Sequence, residues 1–518
     1  MSDQPQMPSE DFNKETIINK IPVGKTFKKH SSQKIFGPPG TGKTTFLLEK
    51  VKEHVKNGIK PEDIAFISYT NAAANEAKKG VSSVFPDLGS IDFPHFSTMH
   101  SLATIIGGDK GRELCLEEHW KAFDETIFCF TEWTVINDPF SVVSRFRHPV
   151  LDLYSLALAR ETSMSEELNK KLESGDHYSM SDIASLKDTL HDYFNVHIDE
   201  DNMLEYSQRY VDRYTDFKRR ESLVDFNDVI LNTVDDSFDD DRLPSFEVLI
   251  IDEAQDLTDH LWSLAKKLIK KAGTVLIAGD DDQAIMINFG ASAHEFLKIK
   301  TTKKDIPLPK SHRVPPQVMR YVNAGVMQFI EALPNRKTKE WESADHEGSV
   351  DYMSDRCPTD KDGNKYTDYY EEYEINDLLR EVIVKKEDQW LIMCPTKRTG
   401  ALISNALLEQ DPPIPHFYRN KPTPNLETIG SSQIRVQSIH ISKGDQADNV
   451  AIVVSGIGDI AMLVNDPRLA YVALTRAMYH MFPRVVKKGL LAYMNNTLEY
   501  SGMAHEYMLM FPTKIVDK

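Results

Sequence analysis

The segment at residues 37–44, which reads GPPGTGKT, constrains the fold of this chain more than any other feature. It fits the pattern G-x-x-x-x-G-K-[ST], in which glycine-rich backbone wraps phosphate oxygens, a lysine supplies charge and a hydroxyl binds magnesium. A short apolar run at residues 34–36 precedes it, and residues 44–56 follow with a helical pattern. Because a helix N-terminus attracts anions, this strand–loop–helix order predicts a nucleotide-binding α/β domain.

The phosphate site is predicted to include most of this segment and the start of the helix. Its expected members are Gly37, Pro38, Gly40, Thr41, Gly42, Lys43, Thr44 and Thr45.

A second apolar run, residues 246–251, ends in the acid pair Asp252 and Glu253. Its continuous Val-Leu-Ile-Ile pattern is typical of a central parallel strand that is covered on both faces. Ligands of open α/β sheets bind beyond the C-terminal ends of the strands. We therefore expect Asp252 to hold magnesium, directly or through water, and Glu253 to polarise the attacking water. A chain with both segments is expected to hydrolyse a nucleoside triphosphate.

The composition indicates an intracellular protein with more than one domain. A chain of 518 residues is too long for one core, and its 41% hydrophobic content is ordinary. The sequence shows neither a membrane-length apolar run nor a secretory signal pattern. The four cysteines lack paired metal-binding spacing, so we expect buried or incidental thiols. They are Cys115, Cys129, Cys357 and Cys394.

The net charge of −18 argues at first against a nucleic-acid partner, because phosphate binding usually requires a basic surface. Part of the excess lies in one stretch, which we interpret as a solvated acidic loop. Its acids are Asp235, Asp236, Asp239, Asp240 and Asp241. A global sum can hide a local basic groove, so charge alone leaves the partner open.

A third predicted strand, residues 274–278, ends in the sequence GDDDQ at residues 279–283. Gln283 is placed as a sensor of the terminal phosphate would be. Without its neighbours in the chain, the segment fits a simple turn equally well.

Further segments follow one another in a fixed order. They are SYTNAAANEA (68–77), STMHSLA (97–103), DFNDVI (225–230), DEAQD (252–256), GDDDQAI (279–285), SHR (311–313), SIHISKGDQADNV (438–450) and YVALTRA (471–477). In this order they resemble the motifs of UvrD/Rep-like superfamily 1 DNA helicases, from Gly37 to about Met478. The resemblance implies an α/β fold with two RecA-like P-loop NTPase domains, each with a parallel sheet, and a mainly helical insertion in the first.

The resemblance also implies roles for single residues. Lys43 and Thr44 match the phosphate and magnesium positions, and Gln283 matches the γ-phosphate sensor. Arg313 and Arg476 match arginine fingers, which neutralise transition-state charge when a cleft between domains closes. Judged alone, Arg476 fits the surface of a predicted helix over residues 466–481.

Short polar side chains match the positions that track a DNA strand in this family. They are Thr70, Asn71, Thr98, His100, Ser438 and His440. Such groups can bond phosphates and sugars without reading bases. Taken singly, each also fits a helix cap or a buried polar group.

The chain departs from the family pattern at four points. The family commonly has I-Y-x-[FW]-R-G-A after GDDDQ, but residues 285–291 read IMINFGA, so Phe289 is either a stacking face for a base or a buried core residue. Gln446 replaces a glutamate that contacts the nucleotide sugar in the family, and we expect it to keep this contact as a weaker, neutral hydrogen bond. No L-N-x-x-Q segment stands at the expected distance before Gly37. The connection between predicted strands at 414–418 and 434–440 is short, so we expect a minimal motor that lacks the large subdomain of its relatives.

Motif order divides the chain into three parts. Residues 1–100 and 221–300 are expected to form the first RecA-like domain, residues 101–220 a helical insertion in it, and residues 301–518 the second RecA-like domain. The second domain has predicted strands at 390–394, 414–418, 434–440 and 449–454. The insertion ends in residues 208–220, where alternating basic and aromatic residues fit a single-strand binding surface. An amphipathic helix with its aromatic residues inward fits the same pattern.

Two classes of function fit these features. The first is an ATP-dependent helicase or translocase that moves on single-stranded DNA, usually 3′ to 5′ in this family, in replication, repair or recombination. The second is a P-loop ATPase that remodels or loads protein–nucleic-acid complexes without unwinding. The expected ligands are ATP and Mg²⁺, and the expected partners are single-stranded DNA, single/double-strand junctions and replication or repair proteins, with no membrane. Phosphate contacts alone do not separate DNA from RNA. The expected location is the cytoplasm or nucleoid, or the host cytoplasm if a virus encodes the chain.

Overall fold

A computed structural model gives the fold over most of the chain. It describes residues 27, 30–69, 71–84, 93–107, 112–115, 117–124, 148–174, 177–235, 238–352, 375–418, 433–485 and 490–515. Two six-stranded parallel sheets and their flanking helices confirm the predicted α/β fold and are consistent with two RecA-like domains.

The strands are β1 (Ser31–Phe36), β2 (Ile64–Ser68), β3 (Phe96–Thr98), β4 (Glu113–Leu114), β5 (Leu223–Val224), β6 (Val248–Ile251), β7 (Thr274–Gly279), β8 (Ile306–Pro307), β9 (Ser349–Val350), β10 (Trp390–Cys394), β11 (Phe417–Tyr418), β12 (Ile434–Ser438), β13 (Ala447–Val454) and β14 (Ala477–Val485).

The helices are α1 (Lys43–Lys56), α2 (Asn71–Val84), α3 (Met99–Gly107), α4 (Glu117–Phe123), α5 (Pro149–Ala159), α6 (Met164–Ser174), α7 (His177–Phe194), α8 (Met203–Arg220), α9 (Phe226–Val234), α10 (Asp259–Lys271), α11 (Ala293–Lys298), α12 (Pro316–Ala324), α13 (Met327–Glu331), α14 (Asn376–Val384), α15 (Lys397–Leu408), α16 (Ile457–Asn465), α17 (Pro467–Leu474), α18 (Leu490–Asn496) and α19 (Ser501–Met510).

The first sheet has the strand order β3-β2-β6-β7-β1-β8, with every neighbouring pair parallel. Strands β2 and β6 are buried along their whole length, as the continuous apolar runs predict. Leu47 of α1 belongs to the core on one face, and Leu261 of α10 belongs to the core on the other. The edge strand β8 pairs with β1 although it follows residue 300. The three predicted domain boundaries, after residues 100, 220 and 300, stay predictions.

The second sheet has the strand order β11-β12-β10-β13-β14-β9, again all parallel. Each sheet ends in very short edge strands. In the first sheet β3 has 3 residues and β8 has 2, and in the second β11 and β9 have 2 each.

One sequence prediction is wrong in this region. The predicted helix over residues 466–481 ends at Leu474, and strand β14 begins at Ala477. The long-range parallel pairing of β14 with β13, which matches Val450 with Met481, decides the conformation here. Local pattern could not show that partner.

The insertion between α3 and α9 is mainly helical and has its own core. The aromatic side chains of α8 point into that core, where Tyr210, Tyr214 and Phe217 are buried. This is the amphipathic arrangement, not an aromatic surface open to a strand of DNA. Two arginines of α8 form cation–π contacts with Phe194 of α7: the Arg209 and Arg213 guanidinium groups lie 5.4 and 4.9 Å from the centre of its ring.

The acidic stretch ahead of β6 is exposed, as its composition predicts. Asp241 is almost fully exposed, and Lys267 of α10 lies 3.2 Å from the Asp240 carboxylate. Asp236 lies outside the described residues.

Cys115 and Cys394 are buried free thiols, and Cys129 and Cys357 lie outside the described residues. Within the described ranges, no helix is long and apolar enough to cross a membrane.

Candidate active site

The C-terminal ends of β1, β6 and β7 meet at one edge of the first sheet, where they bring together the phosphate loop, the acid pair and the GDDDQ turn. The Thr44 hydroxyl donates a 2.7 Å hydrogen bond to the Asp252 carboxylate, although 208 residues separate them. This contact joins the two segments that the sequence analysis assigned to one site. The two side chains are an alcohol and a carboxylate, both oxygen ligands that suit Mg²⁺.

The conformation of the phosphate loop is stabilised by hydrogen bonds between its own residues. Lys43, at the start of α1, donates a 2.7 Å hydrogen bond from Nζ to the Gly37 carbonyl. The Thr41 hydroxyl bonds the Pro38 carbonyl at 2.9 Å. An ammonium group in this position is available for an anion, because a phosphate oxygen can replace the neutral carbonyl as its partner. Thr45, the last predicted member, is exposed on the first turn of α1.

Gly40 has a backbone conformation and a neighbourhood that only glycine fits. Its φ is +74°, and a Cβ there would lie 2.5 Å from Cβ of Arg313 and 2.7 Å from the Ser311 hydroxyl. The His312 amide donates a 2.8 Å hydrogen bond to the Gly40 carbonyl. The segment after β8 therefore packs directly on the phosphate loop and brings Arg313 beside it.

Replacing Gly40 by alanine is expected to cost about 1–3 kcal/mol more than the same change at Gly58. Both residues have a left-handed φ, +74° and +90°, but a Cβ at Gly58 meets nothing within 4 Å. Gly58→Ala therefore measures the backbone strain alone, about 1–2 kcal/mol. Urea-unfolding midpoints of the two variants test the difference. Equal midpoints would show that the loop can move away from Arg313 without loss of stability.

The pKa values of the two acids, Asp252 and Glu253, are shifted in opposite directions. Burial, together with the neighbouring Glu253 charge, raises the pKa of Asp252 to about 6. Burial also acts to raise the pKa of Glu253, but Lys443, Lys43, the Gln255 hydrogen bond and Arg476 together outweigh it and leave that pKa below its usual value. Glu253 has a φ of +52°, which is strained for a residue with a side chain, and its carboxylate accepts a 2.5 Å hydrogen bond from the Gln255 amide. Glu253 is therefore held ionised and in one position, as a general base requires.

Gln283 links the two sheets. Its side-chain amide nitrogen donates a 2.7 Å hydrogen bond to the Asp280 carboxylate, and its side-chain oxygen accepts a 3.0 Å hydrogen bond from the Arg476 guanidinium. Arg476 is buried between α17 and β14 and also donates to the carbonyls of Val472 and Asp445. The predicted sensor and one predicted finger are thus in direct contact. The interpretation of Arg476 as an exposed helix residue is wrong, because it is 2% exposed.

The second predicted finger contacts another predicted site residue. Arg313 donates a 2.7 Å hydrogen bond from Nε to the side-chain oxygen of Gln446. Gln446 is thus a neutral partner that holds the Arg313 guanidinium without cancelling its charge.

Lys443 is a site residue that the sequence analysis missed. It lies in the SIHISKG segment and donates a 2.8 Å hydrogen bond to the backbone carbonyl of Gln283. Its ammonium group also forms an ion pair with the buried Asp256. Burial raises the pKa of Asp256 to about 7 even though Lys443 opposes the shift. Lys443 and Asp256 both lie in motifs quoted above, SIHISKGDQADNV and DEAQD, but neither residue was predicted to have a role.

Three neighbouring carboxylates in the GDDDQ turn are close enough to hold a metal ion: Asp280, Asp281 and Asp282. The Lys339 ammonium already lies among them, at 2.7, 2.5 and 2.9 Å from their oxygens. Arg336 forms a two-armed pair with Asp282 at 2.7 and 3.0 Å. These cations follow α13, so the turn is fixed by residues from beyond the first sheet.

Two of the residues predicted to bind nucleic acid meet at the junction of the two sheets. Phe289 is 41% exposed, so its interpretation as a buried core residue is wrong. Its ring stands edge-on to the His440 ring with centroids 5.9 Å apart. An exposed aromatic ring beside a polar ring can stack on a base.

The other predicted nucleic-acid residues lie in more enclosed places. Thr98 is buried and its hydroxyl bonds Ser101 at 2.9 Å, while Ser438 is buried at the end of β12. His100 contacts the Phe226 ring edge-on at 6.0 Å. Thr70 and the side chain of Asn71 lie outside the described residues.

Comparison with known proteins gives one family model and several relatives of the same kind. The family model for the UvrD/REP helicase N-terminal domain matches residues 24–304. The ATP-dependent DNA helicase PcrA of Leuconostoc citreum is 24% identical over 314 residues, which is 58% of this chain and 38% of that protein. The ATP-dependent DNA helicase Rep of Buchnera aphidicola is 24% identical over 300 residues, 56% of this chain and 40% of that protein. The ATP-dependent DNA helicase SRS2 of Saccharomyces cerevisiae is 25% identical over 279 residues, 51% of this chain and 22% of that protein.

These alignments cover two fifths or less of each relative's own length. The family model, in contrast, covers more than half of the 518 residues, and its range contains the phosphate loop, the acid pair and the GDDDQ turn. The chain therefore belongs to the UvrD/REP helicase family.

Proposed function

We propose that this chain is an ATP-dependent motor that moves along single-stranded DNA, 3′ to 5′, and separates strands during replication, repair or recombination. The observation that carries the proposal is the contact between Gln283 and Arg476 across the two sheets. A residue that senses the terminal phosphate and is bonded to an arginine from the other domain can link nucleotide state to domain movement. A static nucleotide-binding protein has no need of this link.

Within this proposal, residues 1–100 with 221–300 and residues 301–518 are the two motor domains, and residues 101–220 are an insertion. The nucleotide lies between the motor domains. Lys43 and the amides at the start of α1 bind its phosphates, and Arg313 and Arg476 approach from the second domain. Mg²⁺, when bound, supplies positive charge that offsets charge on the phosphate oxygens. Thr44 and Asp252 are the residues that would hold it.

Glu253 is proposed to accept the proton of the attacking water. Its low pKa means that it is ionised at neutral pH, and its bond with Gln255 fixes its direction. Gln283 and the two arginines then stabilise negative charge on the transferred phosphoryl group. Because Arg476 reaches the site from the far sheet, hydrolysis is expected only when the domains are close together.

The proposed DNA track passes over Phe289 and His440, with Thr70, Asn71, Thr98, His100 and Ser438 along the same path. Phe289 belongs to the first motor domain and His440 to the second, so a change in domain spacing would change the grip on one base. Single/double-strand junctions and replication or repair proteins are the proposed partners. The cytoplasm or nucleoid, or the host cytoplasm for a virus-encoded chain, is the proposed location.

The test is steady-state ATP hydrolysis with and without single-stranded DNA, followed by strand separation on duplexes with a 3′ or a 5′ single-stranded tail. The proposal expects strong stimulation by single-stranded DNA and separation of the 3′-tailed duplex. Stimulation without separation of either duplex would favour a P-loop ATPase that remodels or loads complexes. A hydrolysis rate that DNA does not change would contradict the proposed motor function. Stronger stimulation by RNA than by DNA would identify RNA as the substrate.

A further inference from the structure

The short turn that carries Phe289 is packed against the helical insertion. The turn is a single 3₁₀ turn over Ile287–Phe289, followed by Gly290 with a φ of +91°. A Cβ on Gly290 would lie 2.7 Å from Cβ of Ala159, at the end of α5. The backbone of the turn therefore touches the insertion directly.

Arg160, the next residue after α5, bonds the same turn. Its Nη2 donates a 2.8 Å hydrogen bond to the Ile287 carbonyl. The Gly290 amide donates to that carbonyl as well, at 2.9 Å, and this second bond closes the turn beneath Phe289. Arg160 thus contacts one of the two backbone oxygens whose hydrogen bonds close the turn; the other is the carbonyl of Met286.

The guanidinium of Arg160 is itself fixed from the other side. Its Nη1 donates a 2.5 Å hydrogen bond to Glu167, whose side chain is 1% exposed. Glu167 also accepts hydrogen bonds from the Thr162 hydroxyl at 3.1 Å and from Lys170 at 2.6 Å. A planar guanidinium with one arm on a buried carboxylate and the other on a carbonyl has little freedom to move.

We propose that Arg160 is a positioning residue for nucleic-acid binding, which holds the Phe289 ring at the surface, facing His440, so that the insertion helps to set the grip on a single strand. This inference rests on the proposed function, because it takes Phe289 as a stacking residue. The family pattern has an arginine within this loop, whereas here the loop reads IMINFGA and the guanidinium reaches it from α5. Without Arg160 the turn keeps its internal bonds and its packing against Ala159 but loses this hydrogen bond to the insertion.

The chain offers a matched control. Arg160 and Lys170 both form an ion pair with Glu167, but of these two only Arg160 bonds the Ile287 carbonyl. Arg160→Lys keeps a positive charge beside Glu167, so it is expected to fold like the parent, but it lacks the planar fork that reaches both Glu167 and the Ile287 carbonyl. Lys170→Ala removes an ion pair of the same carboxylate without touching the turn.

The experiment measures binding of a fluorescent oligothymidylate to the full chain by anisotropy, with thermal unfolding of each variant as the folding check. Phe289→Ala is expected to weaken binding about tenfold, in line with the loss of one stacked base. Arg160→Lys and Arg160→Ala are expected to weaken it about three- to tenfold, and Lys170→Ala less than about twofold. The double variant Arg160→Ala with Phe289→Ala should bind about as well as Phe289→Ala alone, because residues that act as one unit are not additive.

A merely structural role for Arg160 would not produce this lack of additivity. If the two losses multiply in the double variant, Arg160 does not act through Phe289 and the inference is overturned. If Phe289→Ala weakens binding while both Arg160 variants bind like the parent, the inference fails and the proposed DNA site stands. If Phe289→Ala itself has no effect, the proposed base contact fails together with the inference.

Discussion

Glu253→Gln is expected to lower the rate of ATP hydrolysis by about a thousandfold, while binding of nucleotide and of single-stranded DNA persists. Glutamine has nearly the same shape but cannot accept the proton of the attacking water. The structure gives this loss a physical reason, because Lys443 and Lys43 hold the pKa of Glu253 low and keep it in the basic form. Steady-state hydrolysis with saturating single-stranded DNA measures the loss, and a fluorescent nucleotide measures binding.

Glu62→Gln is the matched control for this change. Glu62 lies in a 3₁₀ turn before β2, which belongs to the same sheet as β6, and its side chain is 52% exposed. We expect its hydrolysis rate to stay within about twofold of the parent, as for most surface substitutions. If Glu253→Gln kept more than about a tenth of the parent rate, another group would have to serve as the base.

Arg476→Ala is expected to reduce hydrolysis by about a thousandfold or more, the range measured for arginines that stabilise a transferring phosphoryl group. The guanidinium is buried and donates to the side-chain oxygen of Gln283, so alanine removes both the charge and this contact with the proposed sensor. Arg476→Lys should recover little of the rate, because an ammonium lacks the planar fork that spans Gln283 and the backbone carbonyls. Hydrolysis at saturating ATP and DNA is the measurement.

Arg484→Ala is the control for Arg476. Both arginines border or lie in β14, but Arg484 pairs with Asp351 away from the site. The control is expected to hydrolyse ATP like the parent. Because Arg476 is buried, thermal unfolding must be compared for each variant, and a folded Arg476→Ala with unchanged turnover would remove this residue from the catalytic cleft.

The parts of the fold that could be predicted are those that local sequence determines. The loop at residues 37–44 and the strand before Asp252 were placed correctly, because glycine positions and a continuous apolar run leave few alternatives. Strand β10 has its predicted bounds of 390–394 for the same reason. The end of α17 could not be predicted, since the residues after Leu474 become a strand only through pairing with β13.

The same distinction holds for the candidate site. Motif order placed Gln283 and Arg476 in one cleft, and they are in contact. The contacts of Lys339 and Arg160 could not be predicted, because each pairs with an acid or a carbonyl that no local pattern identifies. Lys443 and its partner Asp256 lie in recognised motifs, but the motifs do not show that the two side chains meet. Lysines and arginines are common on protein surfaces, so only the fold shows which of them are buried against a partner.

The short edge strands have a consequence for crowding. A parallel sheet that ends in a long open strand offers a row of free amides and carbonyls to any similar chain, and such edges promote aggregation. Here the outermost strands β3, β8, β9 and β11 have 2 or 3 residues each, and β8 ends in Pro307, which has no amide proton to donate. In the part of the chain that the structure describes, crowded copies would meet with only these short strands at the sheet edges. We therefore expect little edge-to-edge pairing between copies even at high local concentration.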